Sequence, residues 1–451
     1  MPVTPAMPPA PAMQPAPAMP PAHTAQPAPR FAPGRAAVLG RAALPGAPVL
    51  GRAPVLGRAP VLGRAPVPAT RPVPATRPAP VEPAGGWVVI FSGTPWRVGA
   101  HRQHALARQL AGDRRVLFVD PPGLGANWRT TVRQAADRIW YVTPPAVLPA
   151  GRWLPPVNRL NRWVAAAVLR RWLDRRPGTR LLWIDEDLAA PAIGHLDEAA
   201  VVYDATDLDW TFSRRCNRWH LRAGLRAAVR AADLVLASSS ALPERLPTAS
   251  RPAVVLANGC DPTRFTLQGP TTPWLRHLPR PVLGYLGAVD TRAFDADLVA
   301  AVARLRPEWT FLLVGPSTRA GRAPLAGLPN VRLYDPVPFD DAPAILRGCD
   351  VGVIPYRVGG LVDYVHPKKC YEYLAMGKPV VATPIPALAA LDAPILLAAT
   401  APEFVAAVER ALVSAGRPEE VARRRAVAER NSWSVRGEQL RGLLDGLGAA
   451  R

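Results

Sequence analysis

Short apolar runs that end in Gly, Asp or Pro, separated by stretches with helical spacing, constrain this chain more than any other feature. WVVIFSG begins at Trp87, a helical pattern covers residues 101–110, and RVLFVDPP follows. Then come LLWID (181–185), VVYDATD (201–207), a helix through residues 222–232, DLVLASS and AVVLANG. Unbroken apolar runs read as strands buried on both faces, and strands separated by helices cannot pair as hairpins. They predict a doubly wound parallel sheet whose ligands sit at the carboxyl ends of the strands. After Pro270 the pattern restarts with VLGYLG, a helix near 296–305, TFLLVGP, VRLYDP, a helix near 342–346, DVGVIPY, PVVATP, ILLAA and a long helical C-terminal segment. Two Rossmann-like units are expected, 86–270 and 271–451, with the joining segment 261–280 lining a cleft between them.

Residues 1–85 cannot take part in either unit. They are Pro/Ala-rich, with tandem APVLGR and then PVPATR repeats, a composition that predicts extended, disordered chain. This tail is either a basic arm for a partner or a passive extension, and with Met1, Met7, Met13 and Met19 all inside it, its start stays open.

The formal net charge is +21, of which +7 lies in residues 1–86 and +14 on the remainder. Such charge suits nucleic acid or an anionic membrane, but no helix-turn-helix spacing, RNP-like aromatic motif or zinc-finger pattern accompanies it, so nucleic acid is not expected. Cys216, Cys260, Cys349 and Cys370 show neither CxxC pairing nor zinc spacing. No run approaches the roughly 18 apolar residues of a membrane span, and the first residues lack the order of a signal peptide. A cytoplasmic protein is expected.

All three lysines, Lys368, Lys369 and Lys378, lie in HPKKCYEYLAMGKPVV, while every other basic residue is arginine. DVGVIP (350–355) reads as a buried strand, Pro367 suits a helix start and Gly377 the residue past its end. Lys368 and Lys369 then occupy the first turn, where the macrodipole disfavours a cation by roughly 0.3–1 kcal/mol. An anion held between the ammonium groups and the free amides of that helix end would offset the cost, and phosphate is the expected guest.

At this point the order of FSGTPW, HRQHALARQL, RVLFVDPP, VVYDATD, ADLVLASSSAL, LANGCDPTRF, VLGYLGAVDTR, DVGVIPY, HPKKCYEYLAMGKPVVATP and the late Ser432–Trp433 pair is informative. From Trp87 to about residue 444 the chain resembles bacterial GT-B glycosyltransferases, especially the group with teichuronic-acid-type and glucuronosyl transferases. The resemblance implies a nucleotide-sugar donor, expected to be UDP-linked, on the C-terminal domain, an acceptor on the N-terminal one, and cleft closure before transfer. By motif position Lys369 would contact the diphosphate and Glu372 the ribose hydroxyls, Gly287 would let backbone approach phosphate, and Arg292 would be a second cation. Glu372 pairing with Lys368, and Arg292 as a solvated loop cation, are the plainer alternatives. Many retaining members carry a glutamate eight positions before the ribose glutamate; here Tyr364 stands there with Asp363 beside it, so both stereochemical outcomes stay open.

Inverting transfer needs a group that takes the acceptor proton while charge leaves onto the diphosphate. Asp204 and Asp207 follow the VVY strand where a cleft would open, and Asp207, further past the strand end, is favoured over Asp204. Capping of the next helix by Asp207 or Asp209 is the structural alternative. DxD-like pairs at 185–187, 207–209 and 295–297 are too frequent to specify metal, and with phosphate matched by Lys, Arg and helix ends, neither metal nor cofactor is expected.

Residues 152–176 carry Trp153, Trp163 and Trp172 among seven arginines, with Leu160, Trp163, Val164, Val168 and Trp172 at helical spacing. Such a helix either lies on an anionic leaflet, as suits a lipid-linked acceptor at the inner face of the membrane, or buries its stripe in an ordinary domain. The reading reached is a metal-independent glycosyltransferase acting on a cell-envelope glycan or lipid-linked acceptor. Its alternatives are a nucleotide-sugar 2-epimerase of the same architecture and a noncatalytic membrane-surface scaffold.

Overall fold

The computed structural model describes residues 85–99, 101–123, 125–206, 215–247 and 251–449, all within one compact unit, Ala75–Arg451. The repeat tail and Asp207 lie outside the described residues.

Two parallel-sheet α/β domains are present, as the alternation predicts. The first sheet contains β1 (Trp87–Phe91), β2 (Arg115–Val119), β3 (Thr131–Ala136), β4 (Ile139–Thr143), β5 (Arg180–Ile184), β6 (Ala200–Ala205), β7 (Leu234–Ala237) and β8 (Val254–Val255), in the order β3-β4-β2-β1-β5-β6-β7-β8. Every residue of β1, β5 and β6 is buried, which is why these strands read as unbroken apolar runs. The exception to the parallel pattern is the antiparallel β3–β4 pair at one edge, whose largely exposed TVRQAA strand gives no apolar signal. The second sheet contains β9 (Val282–Leu286), β10 (Thr310–Val314), β11 (Val331–Tyr334), β12 (Val351–Ile354), β13 (Val380–Ala382) and β14 (Ile395–Leu397), in the order β11-β10-β9-β12-β13-β14.

Helices cover both faces of the first sheet. Leu169 and Leu173 of helix Pro155–Leu173 and Leu225 and Val229 of helix Arg215–Ala231 seal one face. The other face is sealed by Leu106 and Leu110 of helix Arg102–Leu110 together with Leu440, Leu444 and Leu447. Those last three belong to helix Trp433–Ala449, so the expected boundary at 271 needs a correction at its far end. The final helix completes the N-terminal core, fastened by Arg114 to Asp445 at 3.0 Å and by Arg441 donating to the Gln109 carbonyl at 3.1 Å. Full burial of each leucine is worth about 1.5–3 kcal/mol, ample reason for the return. The chain thus crosses between domains twice, and the crossings are stitched together where Trp433 N donates to the Cys260 carbonyl at 2.8 Å and Cys260 N to the Asn431 carbonyl at 3.2 Å.

In each sheet the strand order reverses direction once, between β1 and β5 and between β9 and β12. Loops on either side of such a reversal part and leave a crevice at the strand ends.

Candidate functional site

The two crevices meet. A cleft of about 670 Å³ is walled by Gly93 and Thr94 after β1, Asp185 and Glu186 after β5, and Thr206 after β6. From the other domain it takes Arg292 after β9 and Val365, His366 and Lys368 on the path from β12 to helix Lys369–Ala375. His101 and Arg102, at the start of helix Arg102–Leu110, and Arg152 join the same wall. Four cations and two carboxylates, Asp185 and Glu186, therefore line one cavity, whose excess of positive side chains suits an anionic ligand.

Arg102 is the best-anchored of them. Its Nε donates to Asp204 Oδ2 at 3.0 Å and its Nη2 to Asp204 Oδ1 at 3.1 Å, while Nη1 donates to Asn258 Oδ1 at 3.2 Å. Asn258 in turn donates to the His366 carbonyl at 2.7 Å across the cleft. Ser239 makes a second crossing bond, to the Tyr364 carbonyl, at 2.8 Å. Asp204 is wholly committed to this network: its side chain is 0% exposed and it lines no wall of the cleft. Against the expectation of a proton acceptor, the Asp204 carboxylate in this structure anchors Arg102 and does not face the cleft. Arg102 itself went unnoticed in the sequence, although it breaks the dipole rule in a first helical turn just as the lysines do.

On the donor side Gly287 follows β9, its N–H donating to the Val314 carbonyl at 2.9 Å. A Cβ at this position would stand 2.3 Å from Lys369 Nζ, so the glycine makes the space the ammonium occupies. That ammonium lies over the Tyr285 ring, 3.9 Å from its centroid, and 5.1 Å from that of Tyr356. Burial lowers the Lys369 pKa to about 7, against Glu372, which raises it, and with a smaller lowering from Lys368. Lys368 forms an ion pair with Glu372 at 2.9 Å and caps the Phe339 ring at 4.6 Å. The plainer alternative for Glu372 is therefore realised in the structure. Glu372 is buried and faces a neighbouring cavity of about 260 Å³, which it shares with His101, Lys368, Cys260 and residues 261–265 of the joining segment. Arg292 is exposed on the main cleft, its backbone held by Asp290 at 2.9 Å.

The lysine helix starts two residues later than expected, at Lys369 rather than Pro367. Lys368 is its cap, and the amides of Cys370, Tyr371 and Glu372 already donate to the carbonyls of Pro367 and Lys368. Those three amides are therefore not free to join the anion cradle expected at this helix end. Gly377, at φ +66°, ends the helix as its sequence position predicts. His101 is pushed toward the neutral form by burial and by Lys368. Among the described residues the DxD-like positions have local roles: Asp187 accepts from Tyr203 at 2.8 Å, Asp295 caps the helix Ala296–Leu305 through Leu298 N, and Asp297 pairs with Arg357 at 3.2 Å; the 207–209 pair lies outside the described residues.

All four expected donor residues fall in one recognisable stretch. Residues 280–414 match the family Glycosyl transferases group 1. That stretch is similar to a group 1 glycosyltransferase domain. The Bacillus subtilis protein TuaH, named for glycosyl transfer in teichuronic acid biosynthesis, is 29% identical to it over 261 residues, 53% of this chain, and the match spans 65% of TuaH. Among solved structures, a sucrose-phosphate synthase from Thermosynechococcus elongatus superposes with a TM-score of 0.62 at 16% identity, covering 81% of this chain and 100% of that one. Anabaena HepE, solved in complex with UDP and glucose, superposes with a TM-score of 0.54 at 16% identity, covering 79% and 98%. These likenesses establish the GT-B fold, and the stretch similar to group 1 lies in its second half.

Proposed function

We propose that this chain transfers a sugar from a nucleotide sugar, UDP-linked, to a cell-envelope glycan or lipid-linked acceptor held by its N-terminal domain. The observation that carries this reading is the convergence of Arg102, Arg152, Arg292 and Lys368 on one interdomain cleft, beside the Gly287–Lys369 contact of the stretch similar to group 1. A leaving diphosphate gathers negative charge as the glycosidic bond to it breaks, and fixed cations stabilise that charge without reorganising. Lys369 and Arg292 serve the diphosphate and Glu372 the ribose, with no metal needed to balance the charge. HepE, with UDP and glucose bound on the same fold, and TuaH, named for an envelope polymer, support the donor and acceptor classes.

In this mechanism the acceptor hydroxyl enters from the N-terminal side and a carboxylate takes its proton. Asp207 fills that role, because it directly follows the cleft residue Thr206. Among the described residues the cleft wall also bears Asp185, and Glu186, whose partner is Arg162. The assay is product analysis with UDP-sugars in the presence and absence of acceptor, with anomers assigned by NMR. Asp207→Asn is expected to lower turnover roughly 100-fold with unchanged UDP affinity; if Asp185→Asn does so instead, the base is Asp185. Release of an epimerised nucleotide sugar without acceptor would refute transfer.

A further inference from the structure

The amphipathic segment buries only part of the stripe its spacing suggests: Trp172 packs against Trp87 and the core. Helix Pro155–Leu173 turns Asn158, Asn161, Arg162, Ala165, Ala166, Leu169 and Leu173 into the core. Leu160, Trp163 and Val168 remain 39%, 52% and 36% exposed. Together with Trp219, 58% exposed on helix Arg215–Ala231, and with Pro155, Leu188 and Ala223, two of these residues, Leu160 and Trp163, line a groove of about 950 Å³. That is the upper end of the about 300–1,000 Å³ typical of small-molecule sites, and contiguous exposed apolar surface of this kind marks a binding face.

We propose that this groove holds the apolar chain of a single lipid-linked acceptor, whose anionic head passes Leu188 into the catalytic cleft. The inference rests on the transfer reading for the fate of the head. Three relationships support it. Leu188 lines both the groove and the cleft. Helix Arg215–Ala231 presents Asn217 and Leu221 to the cleft but Trp219, Ala223 and Ala227 to the groove, and residues 152–163 divide in the same way, Arg152 and Trp153 to one and Leu160 and Trp163 to the other. His220, which lines the groove, hydrogen-bonds the backbone of Arg152, which lines the cleft, so the two cavities are adjacent there as well. Third, the exposed Arg159 on the rim and Arg152 at the cleft suit an anionic head. They disfavour the chain's own Pro/Ala tail, which carries eight arginines against Glu82 through residue 86, and a second copy, which would bring the same arginines face to face.

The test uses the full chain and monomeric geranyl, geranylgeranyl and undecaprenyl monophosphates, followed by tryptophan fluorescence, with inorganic phosphate as control. Affinity is expected to rise on the order of tenfold or more from geranyl to geranylgeranyl, since each additional buried methylene contributes. Ala223→Phe, which fills the groove, should remove at least about tenfold of that gain while melting cooperatively and binding UDP as before; Trp163→Asp is the second variant should Ala223→Phe fail to fold. Affinity independent of chain length, or unaltered in both variants, would overturn the proposal. So would binding seen only with anionic vesicles, which would assign the patch to a leaflet surface. Chain-dependent binding without sugar transfer would leave the groove standing and sink the transfer reading. Transfer to a water-soluble glycan with groove variants fully active would do the reverse.

Discussion

Asp204 holds Arg102 through two parallel hydrogen bonds, so a carboxylate at the end of β6 sets the position of a guanidinium on the far side of the sheet's switch point. The relationship changes what substitution there should do. A buried ion pair broken from one side leaves a desolvated charge, which costs about 3–5 kcal/mol.

Asp204→Ala is accordingly expected to destabilise the protein by about that amount in denaturant melts. Arg102→Ala on top of it should recover part of the loss, as coupled neighbours do. A catalytic base would behave oppositely, with stability kept and turnover lost, and that pattern would refute the anchoring role.

Lys369 should make nucleotide binding consume protons. Its ammonium is half lost near pH 7 in the free protein, and a diphosphate beside it favours the charged form. Calorimetry of UDP binding between pH 7 and 8 in buffers of different ionisation enthalpy should show net proton uptake that disappears in Lys369→Met. The effect on stability runs the other way. The unfolded lysine titrates near 10.5 and the folded one near 7, so between these values the unfolded chain binds more protons, and this group's contribution to stability rises with pH across that window. Comparing melts of the wild type and Lys369→Met over the same range isolates it.

Gly287→Ala should act chiefly through Lys369. The new methyl would occupy the ammonium's place, and UDP affinity is expected to drop on the order of tenfold, the equivalent of one charge-assisted hydrogen bond. Some loss of stability is expected as well, because φ at this position is +159° and the methyl would also stand 3.0 Å from the Tyr285 hydroxyl; a collapse of cooperative unfolding would show that the glycine serves the sheet instead.

Glu372→Gln separates two roles. If the carboxylate binds ribose, the variant loses UDP affinity but keeps that for pyrophosphate. If it acts only by holding Lys368 at 2.9 Å, both affinities change together. Titrating the variant with each ligand decides between them.

The architecture was legible because buried parallel strands leave short unbroken apolar runs, here closed by Gly, Asp or Pro and alternating with stretches of helical spacing, and the restart after Pro270 marked the second domain. What stayed hidden depends on contacts between distant segments. The spacing of Leu160, Trp163 and Val168 is the same whether a helix packs that face or exposes it; only the third dimension shows that Asn158, Asn161 and Arg162 took the inner side. The lysine cluster pointed to the donor wall, because a broken dipole rule is a local signal. The partnership of Arg102 and Asp204 spans 102 residues and leaves no local trace. TVRQAA, an exposed edge strand, offered neither alternation nor a hydrophobic run.

Helix Trp433–Ala449 also bears on how the protein is made. Leu106 and Leu110 emerge from the ribosome early, yet the leucines that cover them are synthesised only after the entire second domain. The usual order, in which an N-terminal domain finishes folding while the rest of the chain is still being translated, is closed to this protein. Its first sheet waits with one flank open, and the stretch that finally shields it arrives only when both halves of the cleft already exist.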